Sequence, residues 1–167
     1  MKRAKIAVIG ASGYTGLELL RLLLTHPNTE LVCVTSRQNA GRTIGELFPR
    51  FSGAPFSDLQ FIDPDAESVA ATGAEVAFLA LPHGVAAGYA SSLIEKGLKI
   101  VDLSADFRLD DTEVYKEFYD ADHPAPDLLK EAVYGLPEIR RDEIIGSRLI
   151  ASPGCYPTSI ILPLIPL

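Results

Sequence analysis

The sequence predicts an α/β fold in which helices cover both faces of a doubly wound parallel sheet. Short, β-branched apolar runs alternate with segments whose apolar residues recur every three or four positions. The runs lack the regular polar alternation of a strand with one solvated face, so each is expected to be a strand buried on both faces. Alternating strands and helices favour parallel pairing, and the right-handed crossover rule then gives the doubly wound arrangement.

The individual elements follow from local signals along the chain. Gly10 closes the first apolar run, while Pro27 and Asn28 end the first helical pattern. Strands are expected at 5–9, 30–35, 59–62, 75–81, 99–103 and 148–151, and helices at 15–24, 85–96 and 110–120. Residues 36–58 are rich in glycine, proline, arginine and serine and are expected to form mostly loop, and 121–138 a proline-punctuated excursion.

Composition narrows the class of protein. The 167 residues carry a net charge of −7, with 47% hydrophobic and 22% charged residues, which is typical of a globular protein with a hydrophobic core. The absence of a basic patch argues against binding to nucleic acid, and the acidic balance argues against anionic membranes. No segment approaches the roughly 20 apolar residues of a membrane helix. The apolar stretch near the N-terminus is too short for a signal peptide, so a cytoplasmic protein is expected.

The last residues predict that the chain is the front portion of a longer enzyme. Residues 159–167 are strongly apolar and end without a polar tail. Such a run would expose an unpartnered hydrophobic face in a finished domain. We therefore expect residues 1–150 to form a dinucleotide-binding domain and 151–167 to lead out of it.

A glycine-rich loop lies between the first strand and the first helix. Its G-x-x-G-x-x-G spacing lets the backbone turn tightly and approach a pyrophosphate, which the free N–H groups of the helix start would bind. This context indicates a Rossmann-type dinucleotide site, although a simple strand-to-helix turn is the alternative. The candidate cofactor-binding residues of the loop are Gly10, Ser12, Gly13, Tyr14, Thr15 and Gly16.

The end of the second strand favours NADP over NAD. An acidic residue there would bind the ribose hydroxyls of NAD, whereas Ser36 and Arg37 suit a 2′-phosphate. The alternative is that Arg37 is a solvated surface residue. Pro82 and His83 follow another strand at the same sheet edge, where they would contact the cofactor. The alternative for His83 is that it caps the next helix and has no contact with the cofactor.

Cys155 is the candidate nucleophile. Pro153 and Gly154 shape a turn after a strand, which would place Cys155 at or near the start of a helix. The helix N–H groups and dipole there favour a thiolate and would also hold a developing oxyanion. A purely structural role for Cys155 is the alternative, and Cys33, inside an apolar strand, is expected to be a core residue. With two cysteines and three histidines, neither a disulfide framework nor a metal site is predicted.

Ser104 and Arg108 are candidate substrate-binding residues after the strand at 99–103. Both side chains could bind a phosphate or carboxylate near the sheet edge. Asp106 and Arg108 could equally form a structural ion pair.

Three segments together resemble the N-acetyl-gamma-glutamyl-phosphate reductase family, which is similar to the aspartate-semialdehyde dehydrogenase group. They are the glycine loop at 10–16, Leu-Ser-Ala-Asp-Phe-Arg at 103–108 and Pro-Gly-Cys-Tyr-Pro-Thr at 153–158. The resemblance implies NADPH-dependent reduction of N-acetyl-γ-glutamyl phosphate to the semialdehyde and phosphate, in arginine biosynthesis, through a thioester on Cys155. It also implies a homo-oligomer, in which residues 151–167 form the nucleophile loop and begin a second α/β domain for catalysis and dimerisation.

The resemblance does not extend to every catalytic part of the family. Family members carry a second domain with a catalytic histidine, and His26, His83 and His123 do not lie where that histidine would be expected. Activity of the 167-residue chain by itself is therefore not expected. Two alternatives remain open: a homologous acyl phosphate, aminoadipyl or aspartyl, as substrate, and an NADP-binding module without catalysis.

Overall fold

Seven parallel strands form one sheet in the computed structural model of the chain, which describes residues 2–167. The strands are β1 (Ala4–Ile9), β2 (Thr29–Thr35), β3 (Phe61–Ile62), β4 (Val76–Leu79), β5 (Lys99–Asp102), β6 (Val133–Tyr134) and β7 (Leu149–Ala151). Their order in the sheet is β3-β2-β1-β4-β5-β7-β6, and every adjacent pair is parallel. The predicted doubly wound fold is confirmed.

Residues 2–167 also form eight α-helices, seven of them between strands and the eighth after the last strand. They are α1 (Tyr14–Thr25), α2 (Ile44–Leu47), α3 (Ala66–Ala71), α4 (Ala86–Glu95), α5 (Thr112–Tyr119), α6 (Pro126–Leu129), α7 (Pro137–Gly146) and α8 (Cys155–Leu164). A short 3-10 helix at Pro49–Phe51 follows α2. No helix within residues 2–167 is long and apolar enough to cross a membrane.

The sequence analysis did not predict several helices and one strand that the structure contains. Helix α2 lies inside the expected loop, where Thr43 and Glu46 form a reciprocal capping box that starts the helix. Helix α7 buries none of its residues, so it carries no apolar stripe that would reveal it. Helix α3 has six residues and strand β6 only two, too few for a periodic pattern to stand out.

The core lies on both faces of the sheet, as expected for parallel strands. Along β1, Ala7 and Ile9 face one hydrophobic cluster, while Ile6 and Val8 face the other. Helix α1 covers the second face, and α4 covers the first with alanines that are wholly buried. These small side chains let α4 approach the sheet closely.

Strand β1 pairs with β2 on one side and with β4 on the other. Connections from such neighbouring strands run in opposite directions around the sheet, which opens a crevice at the carboxyl edge between them. The segments that follow β1, β2, β4, β5 and β7 all reach this edge, because parallel strands share one direction. The fold therefore gathers all predicted site segments at one edge.

Asp102 ends β5 and is wholly buried. Burial raises the pKa of its carboxyl from 3.8 to about 6, and hydrogen bonds from Ser104 offset part of that rise. The Ser104 backbone N–H donates to Oδ1 at 3.0 Å and the Ser104 hydroxyl donates to Oδ2 at 2.7 Å. Because this carboxyl holds its proton more tightly in the folded chain than in water, ionising it destabilises the fold.

Asp102→Asn is expected to become more stable relative to the unsubstituted protein as the pH rises. Between pH 4 and pH 8 the difference in free energy of unfolding should move by about 2–3 kcal/mol in favour of the variant, because the amide never ionises. The shift should fall mostly below pH 7, and chemical denaturation at several pH values measures it. Asp142→Asn, at an exposed position in α7, is the control. A difference that is independent of pH would contradict the proposed titration.

Candidate functional site

The three loop glycines differ in whether the fold requires them. Gly10 has a positive φ of 82°, and a Cβ there would lie 2.5 Å from the Ala80 carbonyl oxygen. A Cβ at Gly16 would lie 2.5 Å from the Cα of Ala11, so this glycine lets α1 pack against the loop. A Cβ at Gly13 would meet only the Gly10 carbonyl oxygen, at an ordinary 3.7 Å. The fold itself needs Gly10 and Gly16 but has room for a side chain at position 13.

Helix α1 begins without a side-chain cap. Its N-cap is Gly13, which has no side chain that could accept a hydrogen bond from the first N–H groups. A helix start of this kind presents unpaired N–H groups and a partial positive charge to an anion. Tyr14 and Thr15 open the helix, and the Tyr14 side chain is almost fully exposed.

Hydrogen bonds join the glycine loop to the end of β2. The Gly10 N–H donates to the Thr35 hydroxyl at 3.1 Å, and the Ala11 N–H donates to the Thr35 carbonyl at 3.0 Å. The Ser12 and Ser36 hydroxyl oxygens lie 2.9 Å apart and share a hydrogen bond. Sequence reasoning missed Thr35; its place as the last residue of a strand beside a glycine loop was the available signal.

A groove of about 470 Å³ opens between the glycine loop, the end of β2 and the segment after β4. It brings together five predicted cofactor residues, and none of the described residues that line it is acidic. The five are Gly10, Ser12, Ser36, Arg37 and Pro82. Leu81 supplies an apolar part of the wall. Tyr89 of α4 was not predicted as a site residue, but it also lines the groove, beside Arg37. The other predicted residues, Gly13, Tyr14, Thr15, Gly16 and His83, lie outside the groove lining.

Arg37 is held across the groove by Tyr89. One terminal guanidinium nitrogen, Nη2, donates to the Tyr89 hydroxyl at 2.8 Å. Arg37 is exposed, yet this bond gives it a defined position beside the groove. Tyr89 lies 52 residues away in sequence, and no local pattern singles it out. The hydroxyls of Ser12 and Ser36 and the guanidinium suit an anionic group on a nucleotide, so the groove fits a dinucleotide cofactor.

His83 does not cap α4. The N-cap of α4 is Val85, which makes no side-chain hydrogen bond, and the His83 ring instead lies against Tyr119 with ring centroids 5.9 Å apart. The cap comes from Asp106, whose carboxylate accepts from the N–H groups of Gly84 and Ala87. Asp106 makes no ion pair with Arg108 among the described side chains.

Ser104 and Arg108 lie at the carboxyl edge but bond within the chain. The Ser104 hydroxyl donates to Asp102 and accepts from the Asp106 N–H, and the residue is 6% exposed. Arg108 Nε donates to the Ser152 carbonyl at 2.8 Å, and its Nη2 donates to the Leu103 carbonyl at 3.1 Å. Arg108 thus braces the turn that precedes Cys155. This geometry gives Ser104 a structural role and leaves the two N–H groups of Nη1 and one of Nη2 on Arg108 to meet a ligand.

The two cysteines have opposite environments. Cys155 is the first residue of α8 and is exposed, directly after the N-cap Gly154. Cys33 is buried in β2, and burial raises the pKa of its thiol to about 11. Of the two, only Cys155 is accessible to a solvent-borne reactant. Within residues 2–167, no cluster of three or more His, Cys, Asp or Glu side chains could hold a metal ion.

Comparison with known proteins identifies the family to which this chain is similar. Residues 5–147 match the family described as semialdehyde dehydrogenase, NAD binding domain. The chain is 64% identical over its whole length to an N-acetyl-gamma-glutamyl-phosphate reductase of Akkermansia muciniphila, and it spans 48% of that protein. It is 48% identical over 99% of its length to a LysW-L-2-aminoadipate/LysW-L-glutamate phosphate reductase of Saccharolobus solfataricus, of which it spans 46%.

A solved structure shows the same fold. Aspartate semialdehyde dehydrogenase with NADP from Candida albicans superposes with a TM-score of 0.71 over 98% of this chain and 46% of that one, at 20% identity. The chain thus spans about half the length of the curated relatives it matches. Because the family match covers most of the chain, including the glycine loop and the groove, the chain belongs to the semialdehyde dehydrogenase family and carries its NAD-binding domain.

Proposed function

We propose that this chain is the NADP-binding portion of an NADPH-dependent acyl-phosphate reductase. The substrate is N-acetyl-γ-glutamyl phosphate and the products are N-acetyl-L-glutamate 5-semialdehyde and phosphate, a step of arginine biosynthesis. One observation carries the proposal: an exposed thiol, Cys155, begins a helix at the same sheet edge as the dinucleotide groove. The name of the relative at 64% identity supports the choice of substrate.

Cys155 is the proposed nucleophile. Its sulfur attacks the acyl carbon of the substrate, the bond to the phosphate oxygen breaks, and phosphate leaves with that electron pair, so that a thioester forms. No side chain caps the start of α8, so its first N–H groups can donate to the acyl oxygen as negative charge develops on it. When bound, NADPH supplies the hydride that converts the thioester to the aldehyde and frees the thiolate.

A homologous acyl phosphate, aminoadipyl or aspartyl, is the second candidate substrate. The relative from Saccharolobus solfataricus is named a LysW-L-2-aminoadipate/LysW-L-glutamate phosphate reductase, and it is 48% identical to this chain. The groove would bind the nucleotide, and Cys155 would attack the reacting acyl group. The candidate substrates share that acyl group, so neither feature distinguishes between them. The higher identity to the N-acetyl-gamma-glutamyl-phosphate reductase favours the first substrate.

The preference for NADP rests on Arg37 and its surroundings. The guanidinium is already held by Tyr89 beside the groove, and the lining lacks an acidic side chain among the described residues. An acid at this position would accept from ribose hydroxyls and repel a 2′-phosphate. A guanidinium and the nearby Ser36 hydroxyl would instead donate to that phosphate.

Gly13→Ala is expected to weaken NADPH binding without unfolding the chain. The fold has room for this Cβ, but the added methyl group would keep a pyrophosphate from approaching the backbone. Gly16→Ala is the matched comparison: its Cβ would overlap Ala11, so it should lower stability by about 1–3 kcal/mol. Titration of NADPH fluorescence and thermal unfolding measure both effects. Unaltered NADPH affinity in Gly13→Ala would count against phosphate binding at this loop.

Arg37→Glu is expected to weaken NADPH binding at least about tenfold more than NADH binding, since a hydrogen bond to a charged group is lost and a repulsion gained. Tyr89→Phe should produce a smaller change in the same direction, because it releases Arg37 without removing its charge. Arg141→Glu, at an exposed position in α7, controls for net charge. Equal loss of affinity for both nucleotides would remove Arg37 from this role.

Cys155 is expected to react with iodoacetamide at neutral pH while Cys33 does not, because only Cys155 is exposed. In the whole protein, Cys155→Ser should abolish reductase turnover and leave NADPH affinity nearly unchanged. Mass spectrometry of the alkylated chain and a coupled assay of NADPH oxidation measure these outcomes. Substantial turnover by Cys155→Ser would refute the covalent mechanism, and an unreactive Cys155 beside intact NADPH binding would favour a non-catalytic module.

A further inference from the structure

We propose that Asp106 is a positioning residue that sets the conformation of the cofactor loop between β4 and α4. This loop, residues 80–85, supplies one wall of the groove through Leu81, Pro82 and Val85. The inference rests on the proposed function, since it assigns Asp106 to the NADPH site. Asp106 itself does not line the groove and acts through the backbone of the loop.

Helix α4 depends on Asp106 for its N-terminal cap. Its own N-cap residue, Val85, has no side chain that could accept a hydrogen bond. Asp106 Oδ1 accepts from the Gly84 N–H at 2.6 Å, and Oδ2 accepts from the Ala87 N–H at 2.9 Å. One carboxylate, 19 and 22 residues away in sequence, therefore holds both the loop and the first turn of the helix.

Asp106 is itself held firmly in place. It is wholly buried; its N–H donates to the Ser104 hydroxyl at 3.1 Å, and the Tyr115 hydroxyl lies 3.4 Å from Oδ1. The His123 ring accepts from the Ala125 N–H through Nδ1, so its Nε2 carries the hydrogen that is donated to the Asp106 carbonyl at 2.7 Å. The loop therefore bonds to a carboxylate that has little freedom to move.

The anchored residue, Gly84, lies near the end of the cofactor loop that leads into α4. Gly84 has a φ of 77°, a conformation that residues with a side chain rarely adopt. It stands between Pro82 and Val85, which both line the groove, and next to His83. Fixing the Gly84 N–H therefore fixes the direction in which both groove residues and His83 leave the backbone.

The geometry requires two acceptor oxygens, which distinguishes Asp106 from another capping aspartate. At Asp106 each oxygen accepts from a different N–H, so Asp106→Asn would place an amide NH2 against one of these donors. At the start of α5, Asp111 accepts from the N–H groups of Glu113 and Val114 through Oδ1 alone. An asparagine carbonyl can replace that oxygen, which makes Asp111→Asn a matched control.

Asp106→Asn is expected to raise the dissociation constants of NADPH and NADH by a similar factor of about tenfold or more, through the lost anchor of the shared loop. Asp111→Asn should change them less than about twofold. Leu98→Ala, a buried substitution at the amino end of β5, should lower the melting temperature and leave both constants unchanged. Fluorescence titration well below each melting temperature provides the constants, and thermal unfolding the stabilities.

The outcomes separate the positioning role from general destabilisation and from the proposed function. Nucleotide affinity in Asp106→Asn equal to that of the unsubstituted protein, or a loss matched by Leu98→Ala, would overturn the positioning role. A loss confined to NADPH would also overturn it, since the anchor serves a loop that both nucleotides share. Failure of the unsubstituted protein to bind either nucleotide would overturn the proposed function instead.

Hydrogen exchange tests the anchor even if Asp106→Asn does not fold. Gly84 and Gly53 are both exposed glycines with positive φ, but Gly53 donates to no acceptor among the described residues. In the unsubstituted protein without nucleotide, the Gly84 amide should exchange at least about tenfold more slowly than the Gly53 amide, after correction for intrinsic rates. Equal rates would show that Asp106 does not hold the loop.

Discussion

Parallel pairing of β1 with β2 on one side and β4 on the other is the constraint on which the rest of the structure depends. Together with the other parallel pairs of the sheet, it directs all seven strands the same way, so the segments that follow the strands meet at a single edge. It also places β2 and β4 on opposite sides of β1, so the connections that follow these strands run in opposite directions. The groove opens between these connections. The glycine loop, Arg37 and Cys155 come from distant parts of the sequence, yet each follows the carboxyl end of a strand in this one sheet.

Buried polar side chains at that edge stabilise the frame, and exposed ones remain free to meet ligands. Asp102, Ser104 and Asp106 are buried and bond to one another or to backbone groups. Arg37 and Cys155 are exposed. The same division appears among the glycines of the loop. The packing requires Gly10 and Gly16, whereas Gly13 leaves space in which a ligand could approach the backbone. Environment, more than residue type, separates structural positions from those available for chemistry.

Local patterns were informative where burial imposes a period on the sequence. The strands at the centre of the sheet are buried on both faces, so their apolar runs identified them, and the glycine loop and Cys155 were placed at the starts of helices that the structure contains. The pattern failed for α7, which buries none of its residues, and for α2, whose capping box lies in a segment rich in turn-forming residues. Elements that contribute little to the core leave little periodic signal.

The sequence by itself determined the class of sheet, the position of the phosphate loop and the cysteine at a helix start, because each depends on residues that are neighbours in the chain. Only the tertiary structure decided that Tyr89 holds Arg37, that Asp106 rather than His83 caps α4, and that Arg108 braces the turn before Cys155. These hydrogen bonds join residues between 19 and 52 positions apart. Their partners are chosen by the order of strands in the sheet, and no local periodicity records that order.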